Sequence, residues 1–369
     1  MKDILINNFL RISKIPRMSG NEKQISDFFV SVAKENNLYY FQDENCNVLI
    51  RKKGNISGEA IAFQSHLDMV CVKKDESNHN FNLDGIDVII NGDEVKAKDT
   101  SLGADQGVGL AIMLTLIEDK SIKHPDLEFL FTVEEETTFK GAITFPYDKV
   151  LNKKMINLDY CMDNAVVIAS AGDIVNEYIY EGILSNKRLN SYKLILDGLM
   201  GGNSGEDINR SKDNGISLLV KELKDKDIYF KSINGGTFEN DIATNCEIVL
   251  QTNIDLIKEI NNPNIKIEKV ENNDSFSLED SKNIVNEILN LKSGFITDTA
   301  SGNLGIIKTI NNRIVITYLF RSTNAEELSN ISNKINNLNH NFNINNLYTD
   351  SIWKVKEDSI ILKKYKEVY

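Results

Sequence analysis

A histidine and a group of acidic residues follow segments whose composition is typical of β-strands. His66 ends the run "EAIAFQSH", and Asp68 lies two residues beyond it. The run "LEFLFTV" is followed directly by Glu134, Glu135 and Glu136. Adjacent carboxylates repel one another, and it is costly to leave them unpaired beside a buried strand. The cluster therefore requires either a counter-charge or a solvated position.

Two more carboxylates occupy comparable positions. Asp105 lies in the glycine-rich stretch "DTSLGADQGVGL" before a predicted helix, and Asp159 ends the run "KKMINLDY". The carboxyl ends of parallel strands meet at one edge of a sheet, where ligands bind in such folds. One imidazole and several carboxylates at that edge form a donor set for zinc, cobalt or manganese. A divalent cation would also supply the counter-charge that the glutamates require.

Each of these features has a plainer interpretation when it is taken alone. A single histidine after a strand is more often structural than a ligand, and three glutamates at a strand end usually form a solvated turn. The stretch "GADQGVG" could bind phosphate, but it lacks the Lys and Ser/Thr of a P-loop and matches no dinucleotide fingerprint. The convergence of these residues on one predicted edge favours the metal site.

The surrounding segments predict an α/β domain. Apolar residues recur at helical spacing in "NEKQISDFFVSVAKEN", and "ADQGVGLAIMLTLIED" has a second helical pattern. The four predicted strands are "NVLIRKKG", "EAIAFQSH", "LEFLFTV" and "KKMINLDY". Strands that alternate with helices indicate a mostly parallel sheet flanked by helices.

The pattern changes at about residue 187 and predicts a separate α+β domain. The stretch "LGIIKTINNRIVITYLF" reads as two alternating strands joined by a tight turn at Asn311 and Asn312. Helical spacing recurs in "SLEDSKNIVNEILNLK" and "NAEELSNISNKINNL". We predict a catalytic domain at 1–186, a lid or dimerisation domain at 187–348, and the start of a return to the catalytic domain at 349–369.

Length, net charge and cysteine pattern argue against several classes of function. The chain has 369 residues, which is long enough for two domains, and its net charge of −12 argues against a nucleic-acid partner. It has no apolar run near the roughly 20 residues that span a bilayer, and its N-terminus does not resemble a signal peptide. The four cysteines are scattered, which indicates reduced thiols in a cytoplasmic protein and not a zinc–thiolate site.

Several motifs together resemble the bacterial aminoacyl-histidine dipeptidases (peptidase D), which belong to a larger clan of co-catalytic zinc peptidases. The matching stretches occur in order, and the likeness extends to about Tyr369: "FQSHLDMV", "DTSLGADQGVGLA", "LEFLFTVEEETTFKGA", "INLDYCMDNAVVIASAG", "GLMGGNSGEDI", "INGGTFENDIA" and "LFRST". The resemblance implies a catalytic domain with an inserted lid, which often makes a homodimer contact. It also implies two zinc ions and hydrolysis of short peptides in the cytoplasm.

The resemblance assigns a role to each residue of the strand-end cluster. His66 and Asp159 would bind one metal ion, Asp105 would bridge two, and Glu136 would bind the second. Asp68 would orient the His66 imidazole, and Glu135 would be the general base. Glu134 receives no role and is expected to be a surface carboxylate.

The resemblance also implies features outside the metal ligands. The peptide bond between Asp105 and Gln106 is expected to be cis. In the lid, Asn203, Asn240 and Arg321 are expected to contact the substrate, with Arg321 at its terminal carboxylate.

The sequence departs from the family pattern at two places. Asn203 stands where relatives have histidine, and an amide cannot carry positive charge. The return segment "SIWKVKEDSIILKKYKEVY" lacks the last histidine ligand, and His79, His124 and His340 are not placed to replace it. The second metal would keep Asp105 and Glu136 alone and bind more weakly. Two alternatives stay open: a relative that binds metal or peptide with little or no turnover, and one half of a split enzyme.

Overall fold

The computed structural model describes residues 2–160, 162, 165–210, 213–271, 274–339 and 341–368. Cys161 and His340 lie outside this set. The helices are α1 (Lys2–Ser13), α2 (Lys23–Glu35), α3 (Ala104–Glu118), α4 (Lys140–Thr144), α5 (Gly215–Lys221), α6 (Leu256–Glu259), α7 (Leu278–Asn290), α8 (Ala325–Leu338) and α9 (Ile360–Val368). None of the helices among the described residues combines the length and apolarity needed to cross a membrane.

The strands divide among several sheets of very different size. In chain order they are β1 (Tyr39–Gln42), β2 (Val48–Lys52), β3 (Ile61–His66), β4 (Val88–Asn91), β5 (Glu94–Ala97), β6 (Leu127–Thr132), β7 (Met155–Asn157), β8 (Ala169–Ser170), β9 (Gly172–Glu181), β10 (Ser185–Asn186), β11 (Asn190–Leu196), β12 (Tyr229–Gly235), β13 (Cys246–Thr252), β14 (Ile265–Val270), β15 (Asp274–Ser275), β16 (Gly294–Phe295), β17 (Ala300–Ile310), β18 (Arg313–Ser322), β19 (Asn343–Asp350) and β20 (Trp353–Lys354).

The chain forms two compact units, Met1–Val166 with Ile360–Tyr369, and Val167–Ser359. The predicted boundary at residue 186 falls inside the second unit, because β9 pairs with β18 along its whole length. That unit also continues beyond the predicted limit at residue 348, because β20 pairs with β8.

The first unit contains a mixed sheet in the order β1-β2-β6-β3-β7. Strands β6, β3 and β7 are parallel. Strands β1 and β2 form an antiparallel hairpin through a short connection, and β2 also pairs antiparallel with β6. All six residues of β6 are buried, which explains its continuous apolar run. The α/β class is confirmed, with antiparallel strands added to the parallel ones.

Helices pack on this sheet through their apolar faces. Phe29 of α2 stacks on Phe131 of β6 with ring centroids 4.1 Å apart. Leu110 and Leu114 of α3 are completely buried in the same core. Burying each such side chain contributes about 1.5–3 kcal/mol. This packing fixes where β3, β6 and β7 end, and so fixes the residues that follow them.

The second unit is built on a nine-stranded antiparallel sheet. Its strand order is β14-β11-β13-β12-β17-β18-β9-β19, with β16 paired to β17. The hairpin predicted at Asn311 and Asn312 is confirmed, because Ile310 pairs with Arg313 and Asn311 has a φ of 57°. Buried residues of α5, α7 and α8 share one core with this sheet.

Candidate metal-binding active site

His66 is the last residue of β3, and its side chain is buried. Its Nε2 atom lies 3.1 Å from Oδ1 of Asp105 and 3.9 Å from a carboxylate oxygen of Glu135 and of Asp159. The register explains this convergence, because His66 lies beside Thr132, the last residue of β6, in the parallel pair. The structure therefore brings the histidine and the strand-end carboxylates together.

Asp68 lies behind the histidine and is completely buried. Its Oδ1 atom is 3.2 Å from Nδ1 of His66, within ion-pair distance. The backbone N–H groups of Glu135 and Glu136 donate to its two oxygens, each at 3.1 Å. Ser19 Oγ donates to Oδ2 at 2.7 Å. Burial opposes the charge on Asp68, but these contacts hold its pKa below the usual value.

Asp105 and Asp159 flank the imidazole from two other segments. Asp105 is at the start of α3, and its side chain is 66% exposed. The bond from Asp105 to Gln106 is cis, as the resemblance implies. Gln106 Nε2 donates to Oδ1 of Asp159 at 2.8 Å, so the residue after one carboxylate contacts the other.

The three adjacent glutamates have different surroundings. Glu135 and Glu136 are half-buried, and their carboxylates face the histidine cluster. Glu134 has a φ of 53°, accepts a hydrogen bond from Thr138 at 2.7 Å and pairs with Lys140 at 3.7 Å. Its side chain is 19% exposed, bonds within its own turn and belongs to neither donor group.

Electrostatic coupling within the cluster shifts several pKa values. Burial raises the pKa of Glu135 to about 7; protonated His66 opposes this shift, and Asp159 and Glu136 add to it. Burial also raises the pKa of Glu136. For His66, burial lowers the pKa, but Asp68 and the other carboxylates outweigh it and raise the value to about 9. The site therefore concentrates negative charge that a cation would neutralise.

The donor atoms form two overlapping groups that could each hold a metal ion. One group is His66, Asp105 and Glu136, and the other is His66, Glu135 and Asp159; the donor atoms within each group lie within 4.8 Å of one another. A nitrogen donor with carboxylate oxygens fits zinc, cobalt or manganese. Among the described histidines, His79 packs on Phe81 and His124 contacts the carbonyl of Pro125, so neither belongs to these groups.

Three residues predicted to contact substrate lie in the second unit. Arg321 forms a two-pronged ion pair with Asp173 at 2.7 and 2.9 Å, while its Nη1 atom is buried without a hydrogen-bond partner. Asn203 accepts from the backbone N–H of Gly205 at 2.7 Å, and Gly205 lies directly against Nη1 of Arg321. The backbone carbonyl of Asn240 accepts from Ser204 at 2.7 Å. These residues thus form one neighbourhood within that unit.

Sequence reasoning missed the residues that surround the cluster from the α1–α2 connection. Arg17 is buried and donates to the backbone carbonyls of Leu67 and Asp68 at 3.2 and 2.5 Å, and also to that of Gly103. Ser19 is likewise missing from the predicted site. A polar loop between two helices gives no periodic signal, and contacts to backbone carbonyls leave no pattern in the partner segment. The short stretch "PRMSGNE" could have attracted notice only as an arginine beside a glycine turn.

Comparison with known proteins supports a peptidase relationship. The chain is 30% identical to the cytosol non-specific dipeptidase of Escherichia coli over 351 residues, which cover 85% of this chain and 72% of the relative. The aminoacylhistidine dipeptidase of Vibrio alginolyticus matches with a TM-score of 0.78 and 25% identity, over 99% of this chain and 84% of that one.

A more distant structure has a related fold. The tripeptidase of Staphylococcus aureus matches with a TM-score of 0.59 and 16% identity, over 100% of this chain and 81% of that one. No protein-family model matches the sequence. From the relationship to the dipeptidase of Escherichia coli and the shared fold, we conclude that the chain belongs to the aminoacyl-histidine dipeptidase family, whose members are hydrolases that act on peptide bonds.

Proposed function

We propose that this protein is a metal-dependent dipeptidase of the cytoplasm that cleaves short peptides with a free carboxyl end, including Xaa-His dipeptides. The observation that carries the proposal is the pair of overlapping donor groups around His66. The dipeptidase relative in the cytosol of Escherichia coli and the aminoacylhistidine dipeptidase of similar structure support the substrate class and the compartment.

In this proposal His66 and Asp159 would hold one metal ion, Asp105 would be a ligand of both ions, and Glu136 would bind the second ion. Zinc is the expected metal, with cobalt or manganese as substitutes. When bound, the metal would polarise the scissile carbonyl and make the attacking water more acidic. The described donor groups contain a single imidazole, so the ion held by Asp105 and Glu136 is expected to bind more weakly.

Glu135 is the proposed general base. Its half-buried carboxylate faces the cluster, and a pKa of about 7 suits a group that must accept and return a proton near neutral pH. It would take the proton from the attacking water and deliver it to the nitrogen of the leaving amine. Asp68, which faces Nδ1 of His66, would fix the orientation of that ring.

The second unit would supply substrate contacts and the surface for a homodimer. Asn203 and Asn240 can present amide groups to a peptide, and Arg321 is the proposed partner of its terminal carboxylate, a contact that requires the buried Nη1 to become accessible. The ion pair with Asp173 holds the guanidinium in place but reduces the charge it offers. Asn203 in place of histidine favours an alternative, in which the protein binds metal and peptide but turns over slowly.

The test is release of free amino acid from a dipeptide panel that includes Ala-His and β-Ala-His. Purified full-length protein is stripped with a chelator and then supplied separately with zinc, cobalt or manganese. We expect hydrolysis that disappears with the chelator and returns with at least one metal. Folded protein that binds metal but cleaves no dipeptide would support the alternative, and folded protein that does neither would contradict both.

A further inference from the structure

The connection between α1 and α2 contacts three of the four segments that carry the predicted metal ligands His66, Asp105, Glu136 and Asp159. We call residues 17–22, "RMSGNE", the positioning segment. Its contacts are to the loop after β3, the loop before α3 and the turn after β6. These loops are far apart in sequence, and the segment itself contributes no atom to either donor group.

Arg17 links two of the loops through a single guanidinium group. Nη1 donates to the carbonyls of Leu67 and Asp68, and Nη2 donates to the carbonyl of Gly103. Leu67 follows His66, and Gly103 precedes Asp105 by two residues. One rigid planar group therefore spans from the histidine loop to the loop of the bridging carboxylate, which fixes their separation.

The glycine-rich stretch before α3 makes room for this arginine. A Cβ atom added to Gly103 would lie 2.5 Å from Nη2 of Arg17 and 2.7 Å from Sδ of Met69. Gly103 also has a φ of +68°, which side-chain-bearing residues rarely adopt. A Cβ atom on Gly107 would come within 3.1 Å of the same nitrogen. Two glycines of "GADQGVG", the stretch that could have been a phosphate loop, therefore leave room for the Arg17 side chain.

Ser19 and Glu22 extend the contacts to the glutamate turn. Ser19 Oγ donates to Asp68, the carboxylate that also accepts from the amides of Glu135 and Glu136. Glu22 is buried and accepts from the backbone N–H of Glu134 at 2.9 Å. The positioning segment therefore contacts the glutamate turn directly through Glu22 and indirectly through the hydrogen bond from Ser19 to Asp68.

Charge favours the same arrangement. Burial lowers the pKa of Arg17 to about 10, so the guanidinium stays charged at neutral pH, and it is attracted by Asp68, Asp105 and Glu136. A fixed cation near these carboxylates reduces their mutual repulsion while no metal is bound. Ligand loops that are held in place before binding lose less conformational entropy when a metal binds.

We propose that Arg17 and Ser19 are positioning residues that hold the ligand-bearing loops in their binding geometry independently of metal. This inference rests on the proposed metal-dependent function. It also predicts behaviour of the metal-free protein, so the two can fail separately. If the positioning segment had only a structural role, substitutions in it would lower overall stability without selectively increasing hydrogen exchange in the ligand-bearing loops.

The test compares Ser19→Ala and Arg17→Lys with a matched control, Ser26→Ala. Ser26 is also on the first unit; its buried hydroxyl donates to the carbonyl of Cys46 at 2.7 Å and accepts from Nε2 of Gln42 at 2.7 Å, and neither partner is a predicted metal ligand. Amide hydrogen exchange in metal-free full-length protein reports on the loops. Competition with a chelator reports the zinc dissociation constant, and thermal melting reports overall stability.

We expect Ser19→Ala to accelerate exchange at Glu135 and Glu136 and to weaken zinc binding about tenfold, as loss of outer contacts to metal ligands typically does. Arg17→Lys should have the same effects because one ammonium group cannot hold both loops. Ser26→Ala should lower the melting temperature while leaving loop exchange and zinc affinity unchanged. Unchanged exchange at Glu135 and Glu136 in Ser19→Ala would overturn the proposal, even if Arg17→Lys failed to fold or the parent protein bound no zinc.

Discussion

At the scale of single residues, Asp68 connects the parts of the site. Its buried carboxylate faces the imidazole of His66 and accepts from the amides of Glu135 and Glu136. The Asp68 side chain therefore links the His66 imidazole to the glutamate turn. Removing such a buried, multiply bonded charge would leave several donors unsatisfied, so the geometry depends on it more than on any surface carboxylate.

The proposed general base can be tested against its neighbour. We predict that Glu135→Gln lowers kcat for Ala-His about 10²–10⁴-fold, because an amide cannot accept the proton. Glu134→Gln is the matched control, since that side chain contacts Thr138 and Lys140 and belongs to neither donor group. Equal losses in the two variants, or no loss in Glu135→Gln, would show that Glu135 is not the base.

Metal binding should depend on pH through His66. The pKa of His66 is raised to about 9, so a metal must displace a proton from the imidazole at neutral pH. We predict that zinc affinity rises as the pH rises, by about tenfold per unit for one displaced proton. Calorimetric titrations at pH 6 and pH 8, in buffers of different ionisation enthalpy, measure both affinity and protons released. Affinity that is independent of pH would contradict this prediction.

At the scale of elements, Glu128 stabilises β6 beside the site. Glu128 is nearly fully buried. Its carboxylate accepts a hydrogen bond from Nε of Arg51 in β2 at 2.8 Å, and two more from the backbone N–H groups of Leu151 and Asn152. Burial opposes the charge, but these bonds hold the pKa of Glu128 below its usual value. Its contribution to stability is therefore present at neutral pH and is lost as the pH falls through the folded-state pKa.

We predict that Glu128→Gln lowers the free energy of unfolding by about 2 kcal/mol at pH 7, through the lost charge-assisted bonds. The difference from the parent protein should shrink as the pH falls through the lowered folded-state pKa of Glu128, where the carboxylate becomes protonated. Urea unfolding at several pH values measures both effects, with the exposed Glu94→Gln as control. A loss that is equal at pH 7 and at acidic pH would argue that the charge is irrelevant.

The sequence predicted this element-scale organisation well where a local pattern existed. The strands that end at His66 and before Glu134, and the turn at Asn311 and Asn312, follow from apolar runs and turn residues. The antiparallel addition of β2 to β6 could not be read, because an apolar run does not encode the direction of its partner. Strand β9 belongs to the second unit because it pairs with β18, which follows it by more than 130 residues in the sequence. Within this pairing, Nε of Arg313 donates to the carboxylate of Glu181.

At the candidate site, too, the residues that follow a local sequence pattern were predicted and the others were not. The residues of both donor groups were predicted as site residues, Glu135 as the general base and the others as ligands, because each lies at a strand end or in a glycine-rich loop. Arg17 was not, because its partners are backbone carbonyls of segments that any sequence could supply. Spacing identifies side chains with chemistry of their own, whereas three-dimensional packing determines which other residues hold them.

At the scale of the whole molecule, each of the two units has its own core. Buried residues of the second unit, including Tyr178, Phe230 and Tyr318, form a single cluster on its large sheet. We predict that a fragment of residues 167–359 folds alone and melts cooperatively, because that core needs no residue from the first unit. Circular dichroism during heating measures this. A fragment without a cooperative transition would show that the second unit depends on the rest of the chain.

The most direct test of the proposed metal centre is turnover of Ala-His measured against the amount of zinc bound per chain. The parent protein is compared with Asp105→Asn, which removes the proposed bridging carboxylate. We predict that turnover of the parent rises from zero as zinc binds, and that turnover of Asp105→Asn stays at least tenfold lower at the same amount of zinc bound per chain. Turnover by metal-free protein, or full zinc-dependent turnover by Asp105→Asn, would contradict the assignment of this cluster as the catalytic metal site.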